Sequence, residues 1–328
     1  MERRMKVHIL DDWFDTLRGL PCFSKLDGHD VTVWNDHAED LDVLAERLAD
    51  AEAITLFRER TPITAALLDR LPNLRLISQR SVYPHVDVPA CTERGILMCS
   101  NMSAGAPSYA AAEMTLALML ASVRQIPQQF ASLKAGNWQM GVGKTLRGRT
   151  LGLYGYGKIA TAVAGYAEAL GMKVVWWGSD AGRARALADG RTVAASREAF
   201  FGEPDVVSVH VRMNASTAGL ITPADLAAMR GDAVFVNTSR AGLVSPGVLL
   251  AALDAGHPGA AAVDVFEVEP LHDATDRFIN HPRLIATPHV GYVTEDELQI
   301  QFSDIFDQIN AYAGGAPTHM INPEVWKA

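Results

Sequence analysis

The sequence predicts an α/β protein with two parallel-sheet domains. The chain has 328 residues, of which 48% are hydrophobic and 20% charged, a composition that supports about two packed domains and excludes a disordered chain. Short runs of β-branched residues alternate with amphipathic stretches from end to end, and this alternation is typical of βαβ units. No repeat, low-complexity tract or linker rich in Pro, Gly or Ser interrupts it.

The charge balance and the cysteine content exclude several classes of protein. Asp and Glu outnumber Lys and Arg by 38 to 29, a net charge of −9, whereas a nucleic acid or an anionic membrane selects a basic surface. We therefore expect neither as a partner. Three cysteines without a CxxC pair argue against a disulfide scaffold and a structural zinc site. Without a signal peptide or an apolar stretch of about 20 residues, we expect a cytoplasmic protein that binds no metal.

The first hundred residues predict one α/β domain. The predicted elements are strands over residues 5–10, 30–34, 53–57, 74–78 and 96–100, and helices over 40–50 and 61–71. We expect the second helix to begin with Thr61 as its N-cap, because Pro62 would then occupy the first helical position, where its missing N–H is harmless.

A long apolar helix and a second α/β series follow. Residues 107–134 are rich in Ala, Leu and Met, which predicts a helix packed on more than one side. The later elements are strands over 150–154, 173–177, 206–211, 233–238, 260–265 and 284–286, and helices over 159–170, 223–229, 245–255 and 294–312. The last helix repeats apolar residues every three or four positions, and its place in the chain allows it to pack on the first domain.

A glycine motif at the end of the first strand of the second series predicts dinucleotide binding. Gly155, Gly157 and Ala160 form G-x-G-x-x-A between a strand and a helix. Gly155 permits the tight turn, Gly157 lets the backbone approach a pyrophosphate, and Ala160 allows the helix to pack closely on the strand. The pyrophosphate would then lie at the helix N-terminus, next to Lys158 and Ile159.

The acidic residue that usually holds the adenosine ribose is absent from the next strand. Gly178 occupies its place, and Asp180 lies two residues further on. Arg183 and Arg185 follow, and either could meet the 2′-phosphate of NADP or lie on a solvated helix face. The sequence therefore leaves NAD or NADP open as the cofactor.

Three polar residues stand at or just beyond the ends of later strands. They are Arg240 in Asn-Thr-Ser-Arg-Ala-Gly, Glu269 in Asp-Val-Phe-Glu-Val-Glu-Pro and His289 in Thr-Pro-His-Val-Gly. The carboxyl ends of parallel strands form the ligand crevice of an open sheet. A guanidinium, a carboxylate and an imidazole at that edge can bind an anion and move a proton.

With these motifs in order, the chain resembles the D-isomer-specific 2-hydroxyacid dehydrogenases. The resemblance runs from about residue 74 to 292. It implies two Rossmann-like or flavodoxin-like parallel-sheet domains with a cleft between them. Residues 1–102 and 292–328 would form a discontinuous substrate-binding domain, and residues 103–291 the NAD(P)-binding Rossmann domain. It also implies a homodimer formed through the cofactor domains.

The same resemblance assigns roles to the polar residues. The substrates would be a 2-keto acid and a D-2-hydroxy acid, interconverted by hydride transfer with NAD or NADP. Arg240 would bind the substrate carboxylate and carbonyl, and His289 would act as acid and base with Glu269 as its partner. Glu267 is the rival for the partner role, and the pattern Asp-Val-Phe-x-x-Glu-Pro favours Glu269.

Further cofactor contacts are expected around the same crevice. The resemblance places Asp264 near the nicotinamide carboxamide. Ser179, after the second strand of the cofactor domain, and Thr238, two residues before the substrate-binding arginine, complete the expected cofactor site together with the glycine motif.

The loop after the strand at 74–78 departs from the family. Relatives usually hold the substrate carboxylate there with the backbone N–H groups of a glycine-rich loop. Residues 79–86 contain no glycine, and Pro84 has no N–H to donate. We expect Arg80 or His85, in a loop that also contains Ser81, to contact the substrate with its side chain instead. The alternative is a loop that only reverses the chain direction and has no contact with the substrate. The identity of the 2-keto acid stays open.

Two functions of other classes fit parts of the sequence. One is an NAD(H)-sensing binding protein, similar to the C-terminal-binding corepressors, which share this fold and keep the same three polar residues; steady-state turnover separates it from an enzyme. The other is a Rossmann dehydrogenase of different chemistry, such as an amino-acid dehydrogenase. It predicts ammonia-dependent activity that tolerates His289→Ala.

Overall fold

The chain folds into two compact units. The structure, a computed structural model, describes residues 3–102 and 109–327. Unit 1 comprises Met1–Pro107 and Thr294–Ala328, and unit 2 comprises Ser108–Val293. The domain boundaries expected at 102/103 and 291/292, and the roles expected for the two domains, stay predictions, and the first of these boundaries adjoins a segment outside the described residues.

Unit 1 is built on a parallel sheet. Its described strands are β1 (Lys6–Ile9), β2 (Asp30–Val33), β3 (Ala53–Thr55), β4 (Leu76–Arg80) and β5 (Leu97–Asn101). They lie in the order β2-β1-β3-β4-β5, and every pair is parallel. This is the flavodoxin-like order, in which the connections change direction between β1 and β3.

The first helices of unit 1 begin where a side chain caps them. The helices are Leu41–Arg47, Ala65–Leu68 and Val88–Glu93. The expected N-cap at Thr61 is wrong: the helix begins at Ala65, because the Thr64 hydroxyl accepts from the Leu67 N–H at 3.3 Å. The Thr61 hydroxyl is used elsewhere, since it donates to the Asp11 carboxylate at 2.6 Å.

The C-terminal helix Glu295–Ala313 completes unit 1 by packing on its sheet. Its buried apolar residues are Leu298, Phe302, Ile305, Phe306 and Ile309. Full burial of each such side chain contributes about 1.5–3 kcal/mol. The Ser78 hydroxyl on β4 also donates to the Ile305 carbonyl at 2.9 Å, so the last helix is tied to the middle of the N-terminal sheet.

Unit 2 contains a larger parallel sheet. Its described strands are β6 (Thr150–Tyr154), β7 (Lys173–Trp177), β8 (Val206–Val209), β9 (Val234–Asn237), β10 (Ala260–Val263) and β11 (Leu284–Ala286). Their order is β11-β10-β9-β8-β6-β7. Val193 forms a parallel bridge with Trp176 at the outer edge of β7. When this bridge is counted as a short third strand, seven strands result; the first six have the order of dinucleotide-binding sheets, 3-2-1-4-5-6, and β11 follows as the seventh.

Both faces of this sheet are covered by apolar cores. Leu151 and Leu153 of β6 belong to the core that includes Met119 and Val163, whereas Tyr154 belongs to the core that includes Phe235 on the other face. This alternation follows from the two-residue period of a strand.

The helices of unit 2 are Ala110–Arg124, Ile126–Lys134, Lys158–Ala169, Asp180–Ala188, Arg197–Gly202, Pro223–Ala228 and Val248–Ala255. The expected α/β fold with two parallel-sheet domains is confirmed.

The single helix expected over residues 107–134 is wrong. Its expected start lies outside the described residues, and the described part consists of two helices separated at Gln125, which has φ 54° and ψ 38°. In a continuous helix the Val123 carbonyl would accept from the nitrogen of residue 127, but Pro127 has no N–H. The Lys144 N–H donates to that carbonyl at 2.7 Å instead.

The described helices do not include a membrane span. Within residues 3–102 and 109–327, none of them combines the length and the apolar composition that crossing a bilayer requires.

Candidate active site

Gly155 forms a turn that other residues cannot adopt. Its φ is 107°, and a Cβ added there would lie 2.3 Å from the His210 carbonyl oxygen. The Gly155 N–H donates to the Trp177 carbonyl at 2.8 Å, which joins the turn to the end of β7. Glycine is therefore required by contacts within the protein itself.

Gly157, in contrast, faces open space. It is the N-cap of helix Lys158–Ala169, and a Cβ on it would meet no atom within 4 Å. Among the described residues, no side chain caps this helix, so its first N–H groups are available to an anion. Lys158 and Ile159 are exposed in the first turn, and Ala160 is buried in the core. An uncapped helix end beside an open glycine fits a pyrophosphate.

The segment after β7 carries two arginines that contact the glycine loop and its surroundings. Arg183 donates to the Gly178 carbonyl at 2.6 Å, pairs with the Asp180 carboxylate and stacks on a neighbouring indole ring. Arg185 donates to the carbonyl of the residue between the two glycines, at 3.1 Å. The Ser179 hydroxyl caps helix Asp180–Ala188 by accepting from its third N–H at 3.2 Å. The negative charge of Asp180 is thus paired with Arg183.

Thr238 follows β9 and is hydrogen-bonded to a threonine of the first long helix of unit 2. The Thr115 hydroxyl donates to the Ala111 carbonyl at 2.8 Å and lies 2.8 Å from the Thr238 hydroxyl. Since Thr115 has only one hydroxyl proton, Thr238 is the donor between the two, and the Thr238 oxygen is left only to accept a hydrogen bond. Thr115 is not among the residues predicted for the site; the only signal in the sequence is a polar residue within an apolar helical stretch.

Glu269 and His289 form a close pair. The Glu269 Oε2 lies 2.6 Å from the His289 Nδ1, and the Glu269 Oε1 accepts from the Phe266 N–H at 2.8 Å. Burial by itself raises the pKa of Glu269, but the hydrogen bonds from His289 and Phe266, together with the charges of His289 and Arg240, outweigh it and lower the pKa. Glu269 is therefore ionised at neutral pH.

The backbone and the ring of His289 are both constrained. Its φ is 53°, a left-handed conformation that costs a non-glycine residue about 1–2 kcal/mol. The ring packs edge-on against Tyr292, with centroids 5.6 Å apart. Because an ionised carboxylate only accepts, the Nδ1 facing Glu269 carries a proton. The Nε2 is then the atom that can exchange a proton with a ligand.

Arg240 and Glu267 occupy different surroundings. Arg240 follows β9, where its carbonyl accepts from the Asn237 side chain at 2.9 Å and its guanidinium donates to the Ser239 carbonyl at 2.8 Å. Glu267 is exposed and accepts from the Gly247 N–H at 2.8 Å, at the start of helix Val248–Ala255. The structure thus pairs His289 with Glu269 rather than with Glu267.

Asp264 is buried and bonded to the loop that carries His289. Its side chain follows β10, and the residue is 1% exposed. The carboxylate accepts from the Thr287 hydroxyl at 2.6 Å, the Val290 N–H at 2.9 Å and the Gly291 N–H at 2.7 Å. The carboxylate expected to contact the nicotinamide carboxamide therefore also binds both sides of His289.

The loop over residues 79–86 belongs to unit 1. Ser81 has φ 80°, a positive value without a glycine, and its N–H donates to the Asn101 carbonyl at 3.1 Å. Arg80 forms an ion pair with Asp304 of the C-terminal helix at 3.0 Å. Both ring nitrogens of His85 are buried without a hydrogen-bond partner in the described chain, and burial lowers the pKa of His85. His85 is thus a stronger candidate for a ligand contact than Arg80.

The described residues hold no grouping of His, Cys, Asp and Glu side chains suited to a metal ion. No set of three or more such residues is close enough within residues 3–102 and 109–327.

Comparisons with known proteins place the chain in a family. A sequence profile described as D-isomer specific 2-hydroxyacid dehydrogenase, NAD binding domain, matches residues 116–291. The D-3-phosphoglycerate dehydrogenase of Synechocystis is 33% identical over 303 residues, or 91% of this chain and 53% of that protein. The chain thus spans about half the length of that relative. The hydroxypyruvate reductase of Thermotoga maritima is 33% identical over 79% of this chain and 86% of its own length.

Solved structures agree with the sequence relatives. A crystal structure of a phosphoglycerate oxidoreductase from Vibrio cholerae is 44% identical with a TM-score of 0.89, covering 95% of this chain and 100% of that one. An oxidoreductase from Ralstonia solanacearum is 43% identical with a TM-score of 0.93, covering 99% and 98% of the two chains. The chain therefore belongs to the D-isomer specific 2-hydroxyacid dehydrogenase family.

Proposed function

We propose that this protein is an NAD(P)-dependent dehydrogenase that interconverts a 2-keto acid and a D-2-hydroxy acid. The contact of 2.6 Å between Glu269 and His289 carries the proposal, because it orients an imidazole at the carboxyl edge of a dinucleotide-binding sheet. The named relatives act on small acids of this class according to their names, which supports the substrate class and leaves the particular acid to experiment.

The residues divide the work of the reaction. A nicotinamide cofactor, when bound, would supply a hydride to the keto carbon in the reductive direction. As charge builds on the keto oxygen, the Nε2 of His289 gives it a proton, while the ionised Glu269 stabilises the positive imidazolium before transfer. The guanidinium of Arg240 binds the substrate carboxylate and the developing oxyanion. In the oxidative direction the same Nε2 accepts the hydroxyl proton.

The cofactor lies on the glycine motif in this proposal. The N-terminus of helix Lys158–Ala169 binds the pyrophosphate through its N–H groups, and Gly157 gives it room. Ser179, Thr238 and Asp264 follow β7, β9 and β10 and would contribute the remaining contacts expected for the cofactor.

We further propose that the protein prefers NADP(H). The place of the usual ribose-binding carboxylate is taken by Gly178, Asp180 is already paired with Arg183, and Arg185 lies against the glycine loop. Two guanidinium groups lie near this position and the usual carboxylate is missing, a combination that favours binding of a 2′-phosphate.

The decisive experiment is a turnover screen. Glyoxylate, hydroxypyruvate, pyruvate and longer or branched 2-keto acids are each offered with NADH and NADPH. We expect oxidation of the cofactor with at least one acid, and a loss of kcat of about 10²–10⁴-fold in His289→Ala. If no acid supports turnover although NADH or NADPH binds, the NAD(H)-sensing alternative replaces the enzyme. Ammonia-dependent activity that survives His289→Ala would favour an amino-acid dehydrogenase.

The cofactor preference has its own test. Arg183→Ala and Arg185→Ala should raise the KM for NADPH by about tenfold or more, because each removes a charged partner of the 2′-phosphate, while the KM for NADH changes little. Arg277→Ala, which removes a surface pair with Asp254, is the matched control. Equal effects on both cofactors would contradict the preference.

The substrate loop stays a prediction that kinetics can test. We expect His85→Ala to raise the KM for the active 2-keto acid more than Arg80→Ala does, since Arg80 is already paired with Asp304. Unchanged KM values in both variants, for every active acid, would leave the loop with a structural role only.

We also propose a homodimer formed through unit 2. Ile126, Phe130 and Leu133 of one helix are each more than half exposed and form an apolar strip. The side-chain oxygens of Ser122 in the preceding helix and of Gln128 in the same helix are buried without a partner in the described chain. Covering this strip with a second copy would bury the apolar side chains.

A further inference from the structure

We propose that Asp264 is the positioning residue that holds His289 in its productive conformation, a role beyond the cofactor contact expected for it. The inference rests on the proposed function, because it concerns the residue assigned there as acid and base. It starts from the geometry of one carboxylate and the loop around it.

The Asp264 carboxylate bonds the chain on both sides of His289. On the N-terminal side it accepts from the Thr287 hydroxyl at 2.6 Å, and on the C-terminal side from the N–H groups of Val290 and Gly291 at 2.9 and 2.7 Å. One buried side chain therefore holds Thr287, Val290 and Gly291, which lie on the two sides of His289 in the chain.

This arrangement offsets the strain at His289. A histidine with φ 53° is uncommon, and such a conformation persists only where surrounding contacts over-determine it. The contact of His289 with the Thr287 carbonyl, N–H to oxygen at 2.9 Å, closes a tight turn within the same loop. If the loop relaxed, the imidazole would leave the Glu269 carboxylate.

The space around Asp264 shows how tightly the loop is held. A Cβ on Gly291 would lie 2.8 Å from the Asp264 Oδ2, so the backbone approaches the carboxylate more closely than any other residue type would allow. Asp264 is only 1% exposed, so water cannot easily replace a lost hydrogen bond to its carboxylate. Asp264 therefore acts through His289 and is not itself required to move a proton.

The principal variant is Asp264→Asn. Both oxygens of Asp264 accept hydrogen bonds. In either orientation, the NH₂ group of the asparagine would therefore face an N–H or O–H donor and lose a hydrogen bond. We expect kcat to fall about 10²-fold, as for a small misplacement of a catalytic group, and to fall by a larger factor than the Kd for the reduced cofactor, measured by protein fluorescence, rises. A Kd raised tenfold or more with an unchanged kcat would show a cofactor contact alone and overturn the proposal.

Milder variants protect the test against misfolding. Thr287→Val removes one hydrogen bond, and Gly291→Ala pushes the Asp264 carboxylate without removing its charge. Both should lower kcat in the same direction as Asp264→Asn by a smaller factor. Asp225→Asn is the matched control, since Asp225 is also buried and accepts from a backbone N–H and a hydroxyl of Thr222. It should lower Tm but leave kcat unchanged.

A double-mutant cycle distinguishes positioning from a merely structural role. If Asp264 acts through the Glu269–His289 pair, Asp264→Asn combined with Glu269→Gln should lose little more kcat than the stronger single variant. Losses that multiply would mean that the two carboxylates act independently, and this result would contradict the proposal.

A spectroscopic readout makes the test independent of turnover. The Nδ1 proton of His289, bonded to Glu269, should give a downfield NMR signal identified by its absence in His289→Ala. The signal should disappear or move in Asp264→Asn and persist in Asp225→Asn; an unchanged signal in Asp264→Asn overturns the proposal. If the wild type turns over no 2-keto acid, the proposed function fails while this signal still decides the role of Asp264.

Discussion

Two residues of the expected site adopt positive φ values without being glycine. His289 has φ 53° and Ser81 has φ 80°, and each value costs about 1–2 kcal/mol. In both cases side chains of nearby strands hold the residue. Asp264 binds the loop around His289, and the amide of Gln79 donates to the Ser81 carbonyl at 3.2 Å. Neither residue is a glycine, the residue type that usually indicates a positive φ. The two residues could therefore be predicted from the sequence, but their left-handed conformation could not.

The two glycines of the dinucleotide motif allow a matched pair of substitutions. Gly155→Ala should destabilise the protein by about 2–4 kcal/mol, because its Cβ would lie 2.3 Å from the His210 carbonyl oxygen at a positive φ. Gly157→Ala should leave Tm nearly unchanged, since its Cβ would meet no protein atom within 4 Å. Thermal unfolding measures both effects.

The same pair separates folding from cofactor binding. Gly157→Ala should weaken cofactor binding, measured by fluorescence titration, about tenfold or more, because the added methyl group occupies the approach of the pyrophosphate. A Gly157→Ala variant that binds the cofactor normally would contradict the placement of the pyrophosphate on this helix.

At the level of elements, the boundaries that sequence reasoning placed wrongly depend on competing hydrogen bonds. Thr61 and Thr64 both precede a helical pattern, and only the contact of Thr61 with Asp11, 50 residues away in the chain, decides that Thr64 becomes the cap. The strands were located more closely, because their buried apolar runs are marked by composition alone. Strands β6, β7 and β11 have the bounds predicted from the sequence.

The break between the two helices at Gln125 can be tested directly. Gln125 has φ 54°, so Gln125→Gly should relieve the left-handed strain and make the protein about 1 kcal/mol more stable than Gln125→Ala does. Urea unfolding of the two variants gives the difference. Equal stabilities would mean that the strain at this junction is relaxed by other contacts.

At the level of the whole molecule, the homodimer proposed through unit 2 predicts the mass of the protein in solution and a lower mass for a variant that cannot dimerise. The wild type should have twice the 35.4 kDa mass of the chain by light scattering. Phe130→Glu should reduce it to a monomer, because it places a charge in the centre of the apolar strip. Leu187→Glu, at another exposed apolar position, is the control and should stay dimeric. A monomeric wild type would refute the dimer.

Much of the candidate site could be predicted because the chemistry requires particular residue types in a particular order. The glycine motif follows β6, whereas Arg240, Glu269 and His289 follow β9, β10 and β11. Parallel strands bring their carboxyl ends to one edge of the sheet. The choice of Glu269 over Glu267 could not be decided by spacing alone. It depends on which carboxylate reaches the imidazole, and the structure pairs Glu267 with the Gly247 N–H instead.

The fold class, the dinucleotide motif and the order of the polar residues could be predicted from the sequence, because local periodicity and short motifs carry that information. The left-handed conformation of His289, the contacts of Asp264 and the ion pair of Arg80 with Asp304 appeared only in the tertiary structure. The contacts of Asp264 and of Arg80 join residues that are distant in the chain, and the smallest separation is the 23 residues between Asp264 and Thr287. Hydrogen bonds over such separations form only when packing brings their donors and acceptors within about 3 Å.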